Sequence, residues 1–243
     1  MKRIIIVVTL VFICTRIFSQ TIEYKTKTIT DTVPACRLSI KADYPQLINY
    51  KDVTTQNKIN TLIQDEIRSI IDTFVYNIKD YDYSSVSDEF TSEFETGFDV
   101  YYSQGNIFSF TYEIYEYVAG AAHPYSYSKS VNFDLTKMKR LGLSDFFKRG
   151  EKDLKKVSDF CYKDLTRQGK ENGYDFEQEA FKEGLDPTSE NFENICITPD
   201  GLYIIFNPYQ VLAYVFGQQT VTIPYSDLKS IINPDGPLNI FIK

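Results

Sequence analysis

The sequence predicts an α+β protein, in which a helix packed on an antiparallel meander sheet is followed by a smaller helix-plus-antiparallel-strand domain. Two observations support this prediction. Apolar residues recur at helical spacing between Ile59 and Phe74, whereas long stretches after that helix alternate apolar and polar residues as strands do. The composition agrees, because 19 tyrosines and 18 phenylalanines without a tryptophan are typical of pleated, half-buried strands.

An N-terminal α+β domain is predicted over residues 33–136. Its elements are an edge strand or lead-in at 21–32, a strand at 36–44 that stops at Pro45, a helix after the capping residues 52–55, a hairpin of 94–102 and 108–114, and a strand through Val131, Phe133 and Leu135. The polar side of the helix requires its other side to lie on a sheet. This β-α-β-β-β order is typical of the α+β class.

A C-terminal α+β domain is predicted over residues 137–232. Its elements are a helical turn at 144–147, a helix through Leu154 and Leu165 that ends at 169–173, a short helix at 174–181, strands at 195–198, 202–206 and 220–223, a short helix at 224–228 and, beyond the domain, a final edge strand at 238–242. The turn at Pro199–Gly201 follows from its chemistry, since proline fixes φ and glycine accepts positive φ.

The N-terminus has the features of an export signal. Lys2 and Arg3 precede an apolar run at 4–13, and Ser19 supplies a small residue for cleavage. The run is shorter than the about 20 residues that span a bilayer, so cleavage is favoured over an uncleaved anchor. Lipidation at Cys14 is disfavoured by the isoleucine before it. We therefore expect a signal peptide at 1–19 and a periplasmic or secreted protein with no membrane span after its removal.

The charge of the mature chain limits its partners. Removing Lys2, Arg3 and Arg16 from the 26 basic residues leaves 23 against 33 acidic residues, a net charge of −10. Such a surface repels nucleic acids and anionic lipids and attracts cationic partners. Outside the cytoplasm, a disulfide with one thiol left over is expected among the remaining cysteines, in a pairing that the spacing leaves open. These cysteines are Cys36, Cys161 and Cys196.

No catalytic, cofactor or metal site is predicted, and an enzyme is not expected. The single histidine, His123, lies in a small-residue loop at 119–124 without a serine or cysteine motif around it. We expect its ring to bond the loop backbone, with contact to a partner as the alternative. Glu113 and Glu116 point to opposite faces of a strand, which makes them poor candidates for a glycosidase pair. The cysteines are too far apart in sequence for a metal motif.

The tyrosines around this loop are the candidate binding residues. Tyr115 and Tyr117 share a strand face opposite Tyr112, so both sets cannot lie in one core. Exposed tyrosines beside a glycine-bearing loop are good binding anchors, although packing under the loop is an equal alternative. The predicted ligand-binding residues are Tyr117, His123, Tyr125 and Tyr127.

Several segments together resemble a known family. They are Gly120-Ala121-Ala122-His123-Pro124, Asn132-Phe133-Asp134-Leu135, Leu143–Phe147, Thr198–Tyr203, Phe206–Tyr209, Gly217 and Ile223–Leu228. This set is similar to the extracytoplasmic module of the sigma-V anti-sigma factor, the RsiV-like family. There, a DUF4163 domain that is also found in a peptidoglycan deacetylase precedes a DUF3298 domain. The resemblance covers roughly Cys36 to Ile231 and implies an α+β fold without catalysis; in the anti-sigma factor, the module is a receptor for lysozyme.

Two departures from that pattern bear on function. No sigma-binding region precedes the signal, so action as an anti-sigma factor by itself is not expected. The loop reads Gly-Ala-Ala-His where Gly-Gly-Ala-His is usual, and Met138 occupies a turn where glycine is common. We therefore expect a non-catalytic extracytoplasmic binding protein for a cationic protein such as lysozyme. The alternative is a peptidoglycan- or glycan-binding accessory module, which the acidic charge and the missing tryptophans disfavour.

Overall fold

The computed structural model describes residues 21–173 and 179–242. The predicted signal peptide at 1–19 lies outside these residues, as do residues 174–178 of the short helix predicted at 174–181. Across the described ranges, no helix is both long enough and apolar enough to cross a membrane.

The predicted α+β class is confirmed. The strands are β1 (Glu23–Val33), β2 (Leu38–Ile48), β3 (Ser92–Gln104), β4 (Ile107–Tyr117), β5 (Tyr125–Asp134), β6 (Lys139–Arg140), β7 (Ile195–Ile197), β8 (Gly201–Phe206) and β9 (Gln219–Pro224). The helices are α1 (Val53–Ile78), α2 (Leu143–Phe146), α3 (Leu154–Asn172), α4 (Glu179–Glu183) and α5 (Tyr225–Leu228). β1 to β6 form one sheet in chain order, with β1 at its edge, and β7 to β9 form a second. All neighbouring strands are antiparallel except β2 and β3, which run parallel to each other and are connected by α1.

Helix α1 covers one face of the large sheet. It begins where the Asp52 carboxylate accepts the backbone N–H groups of Thr54 and Thr55, at 3.1 and 3.3 Å. Its predicted apolar face packs against β2 to β5, with Leu62 partly buried and the other residues of the face buried. Tyr112 of β4 reaches across this core and donates its hydroxyl to the Ile63 carbonyl at 2.9 Å. The even-numbered residues of β4 therefore face the helix.

The opposite face of the large sheet meets the C-terminal domain. α3, α5 and the second sheet enclose a separate core, to which β4 contributes Ile107. α3 ends at Gly173, whose φ of 78° favours glycine. Ser109, also on this face of β4, accepts the backbone N–H of Ile197 in β7 at 2.9 Å. The large sheet thus lies between α1 and the C-terminal domain.

Asparagine side chains form hydrogen bonds along the edge of β5 that no strand covers, since β5 pairs with β6 only at Phe133 and Asp134. The Asn207 amide accepts from the Ser128 N–H at 2.9 Å and donates to the Ser128 carbonyl at 3.0 Å, as a neighbouring strand would. Asn194 accepts the Ser130 N–H at 2.9 Å. These bonds join the two domains along β5 and satisfy backbone groups that burial would otherwise penalise.

The end predicted for the second strand is wrong. β2 continues through Pro45 to Ile48. Only residues 38–42 of β2 pair with β3, and the strand beyond them pairs with β1 alone. A proline is tolerated there because no bond to β3 depends on its missing N–H.

The final strand predicted at 238–242 is also wrong. Pro237–Phe241 is a 3-10 helix with proline in its first turn, where the missing N–H has no cost. Leu238 is buried, and the Phe241 ring stacks on Tyr225 with centroids 4.4 Å apart. The apolar residues of this segment therefore close the C-terminal core and do not pair as a strand.

The predicted disulfide is wrong as well, because the three cysteines of the described chain are free thiols. Cys36 lies in the core under α1, Cys161 in the core of the C-terminal domain, and Cys196 on β7, where its sulfur is 3.9 Å from the Phe110 carbonyl oxygen. Burial raises the pKa of the Cys161 and Cys196 thiols. All three behave as small apolar residues.

Candidate functional site

The loop at 119–124 and the segment 207–218 lie side by side where the two domains meet. The His123 ring stacks on the Tyr214 ring, with centroids 4.7 Å apart and planes at 27°. Tyr214 also donates its hydroxyl to the Pro124 carbonyl at 3.1 Å. The loop found in the sequence is therefore one half of a surface that the C-terminal domain completes.

His123 bonds the loop backbone, as the first of its two expected roles requires. Its Nδ1 lies 2.8 Å from the Pro124 carbonyl oxygen, and because a carbonyl only accepts, Nδ1 carries the hydrogen. The side chain is exposed at the same time, so the bond leaves part of the ring accessible to a partner. The structure thus gives His123 a structural role and leaves its partner role a prediction.

The other predicted binding residues differ in how much of each side chain is used for packing and hydrogen bonds within the protein. Tyr125 and Tyr127 stack with centroids 5.4 Å apart. Tyr127 packs against the core under α1 and donates its hydroxyl to Glu116 at 2.9 Å, while Tyr125 donates to the Pro208 carbonyl at 3.4 Å. Tyr117 is half-buried at the end of β4. Tyr127 therefore serves packing first, and Tyr125 borders the surface shared by both domains.

Burial raises the pKa of the Glu116 carboxyl, and the hydrogen bond from Tyr127 only partly opposes this. Burial and the neighbouring Glu116 charge likewise raise the pKa of the Tyr127 hydroxyl. A carboxyl whose pKa is higher in the folded than in the unfolded state lowers the free energy of unfolding when it ionises. This destabilisation disappears as the pH falls below the raised pKa and the carboxyl becomes protonated.

Glu116→Gln is therefore expected to be more stable than the wild type at pH 7 and equally stable near pH 4, because glutamine keeps an acceptor for Tyr127 without the buried charge. Urea unfolding at the two pH values measures the difference. Glu89→Gln, at an exposed carboxylate, is the control and should show no such pH-dependent gain. A Glu116→Gln variant less stable than the wild type at pH 7 would contradict the assigned cause.

An aromatic ladder of Tyr209, Tyr214 and His123 extends the surface beyond the residues found in the sequence. Tyr209 stacks on Tyr214 with centroids 5.5 Å apart and is 58% exposed. Val215 is 83% exposed beside it. The one available signal was the length of the connection at 207–218 between β8 and β9, since hairpin loops usually span about 2–5 residues.

A groove of about 510 Å³ runs beside this ladder on the sheet face away from α1. Tyr115, Tyr214 and Val215 contribute its apolar lining, and Glu113 and Gln218 contribute polar groups. The Glu113 carboxylate accepts hydroxyl hydrogen bonds from Thr111 and Ser128, both at 2.6 Å, and Gln218 donates to the Ser128 hydroxyl at 2.7 Å. These bonds hold the Glu113 carboxylate in a fixed orientation in the groove.

Carboxylates continue from the groove across the same sheet face. Strand pairing places Glu93 beside Tyr117, Glu95 beside Tyr115, and Asp99 beside Thr111, while the residue paired with Glu113 is Gly97. A depression on this face shares Glu113 and Tyr115 with the groove and is also lined by Glu95, Asp43 and one cation, Lys41, the strand neighbour of Glu95. We call the combined surface, from Glu93, Glu95 and Asp99 through Glu113 to Tyr214, the acidic groove. Within the part of the chain that the structure describes, none of its carboxylates forms an ion pair.

The side chains of the acidic groove are of the types that bind a charged partner. Over residues 21–173 and 179–242, no three histidine, cysteine or acidic side chains are grouped to hold a metal ion. Glu113 and Glu116 lie on opposite faces of β4 in separate hydrogen-bond networks. Unpaired carboxylates beside exposed aromatic rings are complementary to a cationic partner.

Comparison with known proteins identifies both domains. Residues 35–126 match the sequence profile described as "Deacetylase PdaC", and residues 144–226 match the profile described as "Protein of unknown function (DUF3298)". The chain therefore contains a PdaC-type domain followed by a DUF3298 domain. Together, the two domain matches suggest a module related to the cell envelope. The narrower RsiV-like assignment and the DUF4163 label stay predictions.

One curated relative is the peptidoglycan-N-acetylmuramic acid deacetylase PdaC of Bacillus subtilis strain 168. It is 32% identical over 133 residues, which are 55% of this chain and 27% of the relative. The match thus spans about a quarter of that protein's length.

Two solved structures have the same fold. A DUF3298 family member from Bacteroides fragilis NCTC 9343 superposes with a TM-score of 0.63 at 15% identity, over 89% of this chain and 95% of the other. A DUF3298 family protein from Pseudomonas aeruginosa PAO1 gives a TM-score of 0.61 at 13% identity, over 89% and 97% of the two chains.

Proposed function

We propose that the protein is a non-catalytic binding protein of the cell envelope, exported by its N-terminal signal, and that its acidic groove binds a cationic protein of the lysozyme type. The observation that supports this most directly is the set of unpaired carboxylates, among them Glu95 and Asp99, next to the exposed ladder of Tyr209, Tyr214 and His123. The resemblance to the RsiV-like lysozyme receptor points to the same class of ligand.

The two parts of the groove have different physical roles in this proposal. The carboxylates accelerate the approach of a cationic partner and orient it, whereas the tyrosine rings supply contact area at a low entropy cost. Exposed charges separated by more than about 8 Å are screened at physiological ionic strength, so affinity falls as salt is added.

A glycan-binding accessory role is the second candidate. The observation that favours it is the aromatic ladder, because stacked rings present flat faces against which a sugar ring can pack. The name of the Bacillus relative, which refers to peptidoglycan, supports it as well. The proposal is non-catalytic because the ring of His123 is bonded into its loop and because the two carboxylates of β4 do not converge.

Titration calorimetry of residues 20–243 with a c-type lysozyme, at low and at moderate salt, tests the proposal. We expect stoichiometric binding that weakens with salt. Replacing two groove carboxylates in the variant Glu95→Gln/Asp99→Asn should weaken binding at low salt by about tenfold, the effect of losing roughly 1.4 kcal/mol of charge interaction. Neither side chain makes a hydrogen bond within the described residues, so the fold should not change.

The matched control is Asp65→Asn/Asp72→Asn on the exposed side of α1, which removes the same charge from a surface away from the groove. If both variants weaken binding equally, net charge alone determines affinity and the groove is not the site. If wild-type protein gives no heat and no complex, the lysozyme proposal is wrong, and soluble peptidoglycan fragments become the ligand to titrate.

A further inference from the structure

A second cleft, of about 560 Å³, lies where β5, β6 and α2 face residues 189–195. None of its lining residues belongs to the acidic groove. Its size falls within the about 300–1,000 Å³ that is common for ligand sites. It therefore has the capacity for a ligand of its own.

The floor of this cleft is apolar and rigid. Buried side chains of the C-terminal domain form it, namely Leu141, Phe146, Phe192 and Ile195. Leu143 stands half-buried among them. A floor of packed residues in fixed positions favours a compact apolar group, such as an aromatic or branched side chain.

The rim of the cleft carries more negative than positive charge, because Glu151 and Glu193 line it together with a single cation, Arg140. The Nη1 of Arg140 lies 2.9 Å from both carboxylate oxygens of Glu66, and Lys129 contacts the same carboxylate at 2.9 Å, so Glu66 offsets one of these two positive charges. The Nη2 of Arg140 donates to the Ser130 carbonyl at 3.0 Å. Glu151 and Glu193, by contrast, are exposed, and their carboxylates have no hydrogen bond or ion pair among the described residues. They come from separate segments, before α3 and before β7.

We propose that this cleft docks a basic and apolar peptide segment, in which an aromatic or branched side chain rests on the apolar floor and a neighbouring lysine or arginine reaches Glu151 or Glu193. Charge complementarity selects this occupant, because an acidic or neutral segment would leave both carboxylates uncompensated. The cleft and its occupant do not depend on the acidic groove, so this site extends beyond the function proposed above.

Gly142 provides a way to obstruct the cleft without straining the backbone. It lines the cleft and is exposed, and its φ of −133° and ψ of −175° are extended values that any residue adopts. A Cβ at this position would meet no atom within 4 Å. Gly142→Leu should therefore fold normally while placing an apolar side chain in the space meant for the ligand.

The experiment is a titration of isotope-labelled protein with the capped tripeptide Lys-Phe-Lys, followed by amide chemical shifts in NMR spectra. We expect saturable shifts at Leu141–Ser144, Gly150–Glu151 and Ser189–Ile195. Gly142→Leu and the double variant Glu151→Gln/Glu193→Gln should each weaken binding by about fivefold or more, the latter through two lost charge contacts. The matched control Glu183→Gln/Glu190→Gln changes two exposed carboxylates that do not line the cleft, and it should bind like the wild type.

The outcomes separate the alternatives. Equal shifts with the tripeptide Glu-Phe-Glu, shifts confined to the acidic groove, no saturation at millimolar peptide, or unchanged affinity in both cleft variants would each overturn the proposal. If Gly142→Leu fails to give a folded spectrum, the double glutamate variant alone decides, because its side chains make no contacts that the fold needs.

Discussion

Gly184→Ala is expected to lower the melting temperature by about 5–10 °C, which corresponds to an overpacking cost of about 2–3 kcal/mol in a protein of this size. A Cβ at Gly184 would lie 1.9 Å from the Gln210 carbonyl oxygen and 2.7 Å from its carbonyl carbon. These are backbone atoms of the segment that carries the aromatic ladder. They cannot move aside alone, because the Gln210 side chain is held by the carbonyls of Gly184 and Asn191 at 3.3 and 2.9 Å.

The control for this prediction is Gly97→Ala, since a Cβ at Gly97 meets nothing within 4 Å. Alanine also reduces the conformational freedom of the unfolded chain, so this variant should be at least as stable as the wild type. Differential scanning calorimetry measures both melting temperatures. Equal values for the two variants would mean that the segment around Gln210 yields easily, and that the ladder it carries is not held in one position.

The elements that the sequence predicted well are those determined by local chemistry. α1 has its cap at Asp52 and a continuous apolar face, and the β3–β4 hairpin alternates from Phe94 to Val100 and from Phe108 to Ile114 around the turn at Gly105, whose φ is 64°. A register shift between Val100 and Tyr102, which the alternation did not predict, places Tyr102 against the C-terminal core. Where a local rule failed, tertiary packing decided the outcome. Pro45 would interrupt a central ladder but lies where β2 has lost its partner β3, and Leu238 is used by the C-terminal core.

Half of the candidate site could be located from the sequence. The loop around His123 stands out by composition, but Tyr214, which contacts it, is 90 residues away from Pro124 in the chain. Nothing in the segment around Tyr209 and Tyr214 has the periodicity of a helix or a strand, so only the fold reveals that these rings complete the surface. The carboxylates of the acidic groove lie on β3 and β4, so the predicted hairpin and its alternation already placed them on one sheet face.

The polar junction between the domains was equally hidden, because serine and asparagine are common in turns and loops. Here they occupy buried strand positions. Ser109, Ser130 and Asn132 are each less than 5% exposed, and all of them bond across to the C-terminal domain. Such a junction fixes the relative position of two domains through directed bonds, and it follows that the acidic groove is assembled only when these bonds are made.

Asn132→Asp is expected to destabilise the protein by about 3–5 kcal/mol at pH 7, the cost of leaving a buried charge without a partner. The Asn132 side chain accepts from the Ser109 hydroxyl at 2.7 Å and from the Ile197 N–H at 3.3 Å, and it donates to the Ile195 carbonyl at 2.6 Å. The substitution keeps the shape and both accepted bonds. It replaces the amide donor with a carboxylate oxygen that faces the Ile195 carbonyl. The loss of stability therefore measures the effect of one lost hydrogen bond and one buried charge.

The sign of its pH dependence distinguishes this cause from a packing defect. Burial and the Ile195 carbonyl should raise the pKa of the introduced carboxyl above its unfolded value of about 3.9, and the protonated form can again donate to that carbonyl. The folded state then binds the proton more tightly, so the deficit shrinks as the pH falls, by up to about 1.4 kcal/mol per pH unit, and is smallest near pH 4. Urea unfolding from pH 4 to 8 measures it, with the exposed substitution Asn57→Asp as control. A deficit of constant size across this range would show that Asn132 holds the domains together by packing, without the directed bonds described here.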